Sequence, residues 1–131
     1  MPRPEMFKGI AERYLAAGNL TRDQIPEAAA FAAYHAFESI GSAWVRRKGQ
    51  KVPKAHDSKI NKFVALARRE TFRHGAAHLA ILTTALRNKM LYPTEDGAGG
   101  FNVPDKLISS ANSRDLLRRV DGMVRSVSAV L

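Results

Sequence analysis

The stretch PEAAAFAAYHAFESIGSAWVRRKG, from Pro26 to Gly49, most constrains what this chain can become. Its alanine-rich start favours helix, and Pro26 is tolerated only in a first turn. Ala30, Tyr34, Phe37, Ile40 or Gly41, and Trp44 then fall on one stripe at helical spacing. Gly49 ends the pattern. A long amphipathic helix of this kind must lay its stripe against other helices.

The rest of the chain supplies them. A first helix spans about Glu5–Ala17, where Phe7, Ile10 and Tyr14 recur at helical spacing and Gly18-Asn19 forms the C-cap. Thr21 is placed to cap an earlier turn before Pro26. After a polar link, Gly49–His56, a third helix starts at an Asp57 or Ser58 cap and reaches about Arg69, with Ile60, Phe63, Val64 and Ala67 inward. A fourth runs from about Glu70 to Met90 with Ala76, Leu79, Leu82 or Thr83, Leu86 and Met90 on its stripe. The third and fourth can equally be one bent helix, because Gly75 costs only about 1 kcal/mol inside a helix. Pro93 stops the pattern, and Thr94–Gly100 (TEDGAGG) is loop by composition. Leu107 and Ile108 begin an extra turn. A last helix follows an Asn112 or Ser113 cap, with Asp115 near its positive end and Leu116, Leu117, Val120, Met123 or Val124, Val127 and Val130 inward. No strand and no internal repeat is evident. Short links between long helices imply an all-α, antiparallel bundle of about five helices, one domain over residues 1–131.

Composition narrows the function. The chain has 131 residues, too few for a second independent core, and no cysteine, so thiol chemistry and thiolate metal sites are excluded. No apolar run approaches a membrane span, and the N-terminus has no apolar signal core, which makes a cytoplasmic protein the default. Twenty-one Lys and Arg face twelve Asp and Glu. The excess is concentrated: Arg46, Arg47, Lys48, Lys51, Lys54, Lys59, Lys62, Arg68, Arg69 and Arg73 lie within residues 46–73, against only Asp57 and Glu70. Such a field attracts phosphate backbones or acidic protein surfaces, although a solvated basic face with no ligand gives the same composition.

Motifs that carry chemistry are few. There is no phosphate-binding glycine loop after a strand, no His-Glu-x-x-His helix and no carboxylate cluster of the two-metal type, so no cofactor or metal is implied. His35, beside Tyr34, reads as a core or boundary residue. His56, before Asp57, reads as a helix-entry residue. His74 and His78 share one helical face without a third ligand nearby. In TTALRNKMLYP, Arg87 and Lys89 suit the last turn of a helix, and Tyr92 packs as a stop.

Four segments in order carry a family resemblance: AAAFAAYHAFESIGSAWVRRKG, PKAHDSKINKFVALA, TTALRNKMLYP and SANSRDLLRRVDGMVRSVSAVL. Together they resemble the HEPN domain (higher eukaryotes and prokaryotes nucleotide-binding), over most of the chain. The resemblance implies a helical bundle that often dimerises so that two motifs meet in one cleft. In many members it implies metal-independent endoribonuclease activity, in toxin–antitoxin, defence or stress settings with a cognate antitoxin or other acidic protein partner. The family motif is an Arg, often followed by Asn, with a His after roughly four to six intervening residues. Arg87-Asn88 matches its beginning, but Tyr92 stands where the His would be, and no His follows His78. A tyrosine, ordinarily titrating near ~10, is a poor general acid–base.

By this resemblance Arg87 would hold a phosphate, Asn88 would orient it, and Tyr92 or a histidine of the His74–His78 face would move protons. Arg69–His74 and Arg73–His78 also satisfy the bare spacing, though one helix earlier or early in the same one. The altered motif favours a non-catalytic or weakly active member. Such a member binds RNA, a nucleotide or a partner protein through Arg46, Arg47, Lys48, Lys51, Lys54, Arg68, Arg69, Arg73 and Lys89, and forms a homodimer. A basic interaction module outside the family is the remaining alternative.

Overall fold

The computed structural model describes residues 2–91, 94–95, 101–102 and 108–131. Five helices account for nearly all of them: α1 (Pro4–Thr21), α2 (Pro26–Arg47), α3 (His56–Leu66), α4 (Arg73–Leu91) and α5 (Ser110–Ser128). Among the described residues the one departure from an all-helical chain is a short antiparallel pair, β1 (Thr94–Glu95) with β2 (Phe101–Asn102). It places Thr94 and Glu95 in a strand rather than a loop. Residues 96–100 and Leu107 of the expected loop and extra turn lie outside the described residues, as do the side chains of Lys89 and Met90.

α2 is the centre of the bundle and packs against each of the other four helices. The expected stripe of Ala30, Tyr34, Phe37, Ile40, Gly41 and Trp44 is buried, and so are most residues between its members. Only a helix rich in alanine can be enclosed on so many sides without pushing its neighbours away. Its end is a Schellman motif: Gly49, at φ 74°, donates to the Arg46 carbonyl at 2.9 Å, and Gln50 donates to Val45 at 3.0 Å. At Gly41, α3 comes so close that an added Cβ would stand 2.9 Å from the Phe63 ring.

α1 departs from expectation in two ways. It continues through Gly18-Asn19 to Thr21, and its buried face is Ala11, Leu15 and Gly18 with Phe7 partly covered, while Ile10 and Tyr14 are exposed. The reason is close approach. Ala29, Ala30 and Ala33 of α2 lie in the same core, and a Cβ at position 18 would meet Leu117 of α5 at 2.6 Å. Small residues therefore face inward, and large ones that look like core are turned out.

α3 and α4 are separate helices. The turn between them buries Ala67 and Phe72, and Phe72 stands edge-on to Trp44 at 5.3 Å and stacks with Phe63 at 6.1 Å. Trp44 Nε1 donates to the Leu66 carbonyl at 3.0 Å, satisfying one of the carbonyls that a helix end leaves free. The α3 N-cap is Ala55 and makes no side-chain capping bond, so Asp57 and Ser58 belong to the first turn instead. In α4, Ala76, Leu79 and Thr83 face the core. α5 is capped by Ser109, whose hydroxyl accepts from Asn112 N at 3.1 Å, rather than by Asn112 or Ser113. Ser113 is buried and donates to the Arg22 carbonyl at 3.3 Å. The expected α5 stripe is buried from Leu116 to Val127, but Val130 is exposed, because the helix ends at Ser128 before it can turn that residue inward.

Candidate functional site

Glu38 is the chemical oddity of α2. One turn beyond Tyr34, it sits on the face that meets α3 and is only 7% exposed. A carboxylate taken out of water is costly unless its oxygens are hydrogen-bonded. Both are. Tyr34 donates its hydroxyl to Oε2 at 3.0 Å, His56 Nδ1 lies 2.6 Å from the same oxygen, and Lys59 Nζ donates to Oε1 at 3.3 Å. Burial pushes the Glu38 carboxyl up, but the bonds from His56 and Tyr34 and the Lys59 charge outweigh it and hold the group below the usual carboxylate range. Burial, with the Glu38 charge behind it, raises the Tyr34 phenol far above its ordinary value.

The ionised Glu38 fixes the state of its neighbour. A carboxylate only accepts, so the His56 nitrogen facing it, Nδ1, carries a hydrogen. The lone pair of the neutral ring is thereby left on the other nitrogen, Nε2, of a side chain that is 42% exposed. A second imidazole lies close by. His35 stacks on Tyr14 of α1 at 5.0 Å, meets the edge of Phe31 at 4.5 Å, and lies 6.4 Å from the His56 ring. Burial lowers the His35 pKa, favouring the neutral ring.

Arg87 enters this cluster from α4. Its Nη1 lies 3.8 Å from Asp57 Oδ1, longer than a hydrogen bond, at the residue next to His56. Its charge also acts on both Tyr34 and His35. Four helices thus converge at one place, with Tyr14 from α1, Tyr34, His35 and Glu38 from α2, His56, Asp57 and Lys59 from α3, and Arg87 from α4.

The other motif residues fall elsewhere. Asn88 is exposed on α4, and the Lys89 side chain and Tyr92 lie outside the described residues. His78 and His74 are exposed on α4. They precede Arg87 by nine and thirteen residues, about 13 and 20 Å along the helix. Neither reaches a phosphate held by Arg87 of the same chain. The histidines of the cluster that Arg87 borders through Asp57 are His35 and His56, whose sequence context points to core and helix entry. Glu38 has no motif around it. The available signal is an acidic residue four places after a tyrosine inside an otherwise apolar stripe. No group of three or more His, Asp or Glu suited to a metal ion occurs among the described residues.

A second feature lies around the α2 C-terminus and the turn after α3. Arg47, Lys48, Lys51, Lys54, Arg68, Arg69 and Arg73 are exposed. Among the described residues none of them, nor Arg46 or Lys62, lies within 4 Å of a carboxylate. Several are held by backbone instead: Arg46 donates to the Pro2 and Gln50 carbonyls at 3.2 and 3.0 Å, and Lys62 to the Lys51 carbonyl at 2.8 Å. Lys48, Arg68 and Arg69 line one shallow depression with Ala65, Leu66 and Glu70. The cations of α5 are different. Arg114 pairs with Asp23, Arg118 and Arg119 with Asp115, and Arg125 with Asp121. Among the described residues these cations thus lack the carboxylate partners that the cations of α5 have.

No protein-family model and no curated protein matches the chain. Among solved structures it is similar to the crystal structure of an archaeal HEPN homologue, with a TM-score of 0.69 and 17% identity, covering 98% of each chain. The likeness extends over the whole order of helices derived above, and at this identity it speaks to architecture: the chain has the HEPN fold.

Proposed function

We propose that this HEPN-fold chain binds RNA through the cationic face formed by the α2 C-terminus, the link to α3 and the turn after α3, and that it acts as a homodimer. The carrying observation is the set of exposed cations with no carboxylate within 4 Å among the described residues, set against the paired cations of α5. A salt-bridged arginine must leave its partner to meet a phosphate. These need not, and each contact releases a condensed counterion from the nucleic acid. The outward strip of α1, with Met6, Ile10 and Tyr14 exposed at helical spacing, supports burial against a second copy.

Retention of labelled single-stranded RNA, measured across a salt series, tests the reading. Affinity falls with salt at a slope of about 0.7 per phosphate contact, and a Lys48→Ala/Arg68→Ala/Arg69→Ala variant loses about 2 from that slope. An unchanged slope refutes this face as the RNA site. Light scattering that shows a monomer at working concentration refutes the dimer.

The second reading is a metal-independent endoribonuclease of a toxin–antitoxin or defence system. Arg87 beside a cluster of proton-bearing groups favours it, whereas the distance from Arg87 to His74 and His78 disfavours those two as its acid–base partners.

A further inference from the structure

The cationic face around Lys48, Arg68 and Arg69 carries charge but offers no ring on which a base could stack. We infer that the RNA it takes is a double-stranded segment, held through its phosphates without regard to sequence. This inference rests on the RNA reading above and names the form of RNA that the face fits.

Residues 44–73, all of them among the described residues, contain three Phe, Tyr or Trp side chains, Trp44, Phe63 and Phe72. All three are turned inward, at 4%, 1% and 6% exposure. Trp44 is also engaged on two sides: its indole N–H donates to the Leu66 carbonyl, and the Lys48 ammonium lies 5.3 Å from the centre of its ring. Large apolar side chains are exposed elsewhere, as at Ile10, Tyr14 and Ile81, but none between residues 44 and 73. The depression that Lys48, Arg68 and Arg69 share is completed by Ala65, Leu66 and Glu70, so no ring lines it. The imidazoles of His56 and His74 lie outside it, at the starts of α3 and α4.

This composition selects among ligands. Proteins that hold single strands without sequence preference stack bases on aromatic rings, at roughly 5- to 150-fold in affinity for each base. A single strand laid on this face gains no such contact, yet still loses its freedom. A duplex arrives stiff, with its bases already stacked, and A-form RNA is recognised mainly through phosphates and 2′-hydroxyls. An acidic protein fits less well, because protein interfaces draw much of their affinity from Trp and Tyr packed at a water-free centre, and no such ring is exposed here. Counterion release points the same way. Each phosphate contact contributes about 0.9 to the salt slope on a duplex, taking the B-form value, and about 0.7 on a single strand. For about four contacts at about 0.1 M salt, that difference favours the duplex by roughly sixfold.

The test is retention of two labelled RNA duplexes of unrelated sequence, each of about 20 base pairs, and of their separate strands, across a salt series. Both duplexes are expected to bind about sixfold or more tighter than any strand, and within about threefold of each other, since phosphate contacts carry no sequence information. The Lys48→Ala/Arg68→Ala/Arg69→Ala variant is expected to lose about 2.7 from the duplex salt slope. Ala65→Trp places a ring at an exposed position of the depression. It is expected to strengthen strand binding by about fivefold or more and to leave duplex binding unchanged. Strands held as tightly as duplexes, or duplexes that differ by more than about tenfold, overturn this inference and leave the RNA reading standing. Strand binding that Ala65→Trp does not improve overturns it as well. An unchanged duplex slope in the triple variant, or neither form retained at low salt, overturns both.

Discussion

Replacing Gly41 by alanine tests the packing that brings α3, and with it His56, against α2. In an open helical position a Gly→Ala change stabilises by about 1 kcal/mol. Here the new methyl would stand 2.9 Å from two atoms of the Phe63 ring and 3.1 Å from its Cβ. Phe63 is 1% exposed and is held between Phe37 at 5.7 Å and Phe72 at 6.1 Å, so it has nowhere to retreat. Overpacking of this kind costs about 1–3 kcal/mol, and the rigid surroundings place it at the upper end. The net loss is about 1–2 kcal/mol. An unfolding entropy of about 2.1 cal/mol/K per residue gives about 0.28 kcal/mol/K for this chain, so Tm falls by about 4–7 °C. Gly122→Ala is the internal control: nothing beyond its own stretch of helix lies within 4 Å of its added Cβ. Its Tm should rise by about 3–4 °C, from about 1 kcal/mol of helix propensity. Thermal unfolding followed by far-ultraviolet circular dichroism measures both. In a Phe63→Leu background the Gly41→Ala penalty should vanish, giving a positive coupling in the double-mutant cycle. A Gly41→Ala protein that melts above wild type would refute the reasoning, because it would mean that α3 does not press on α2 at this point.

Other outcomes follow from the same contacts. Removing the α5 cap by Ser109→Ala should cost about 1 kcal/mol, or about 4 °C in Tm, whereas Asn112→Ala should not, since Asn112 contributes only its backbone N–H. Stability should decline on acidification in two stages. The depressed His35 value means that the unfolded chain takes up that proton first as pH falls below about 6.5, and the depressed Glu38 value does the same below about 4.3. Denaturant midpoints across pH should show both limbs, with Glu38→Gln flattening the lower one, and a midpoint independent of pH in wild type would contradict the buried network. Ile10→Glu, on the exposed strip of α1, should shift a dimer toward monomer in light scattering without lowering the monomer's helix content.

Much of the architecture was legible in the sequence because it rests on local rules. The stripe of α2, its stop at Gly49 and the inward residues of α5 up to Val127 all follow from helical periodicity and turn chemistry. Those rules misread α1. Periodicity ranks Ile10 and Tyr14 above Ala11 and Gly18 by size, whereas the helix faces inward with the residues that permit close approach to α2 and α5. Local rules also left the α3–α4 boundary open, since only Phe72 and the Trp44 bond to Leu66 determine it.

The site divides in the same way. A run of cations within residues 46–73 is visible in the sequence alone, because charge is additive along the chain. Whether those cations are already paired is not, since pairing depends on which carboxylates the fold brings near. Arg87 stood out through its neighbours in sequence. His56 and Glu38 did not, being eighteen residues apart on different helices. Their hydrogen bond exists only because α3 docks on α2 with Gly41 against Phe63. The sequence by itself therefore determined a basic helical bundle and the run of cations within residues 46–73. The tertiary structure alone decided that His56 meets Glu38 and that Arg87 comes near Asp57, because proximity across helices is a property of packing and not of spacing along the chain.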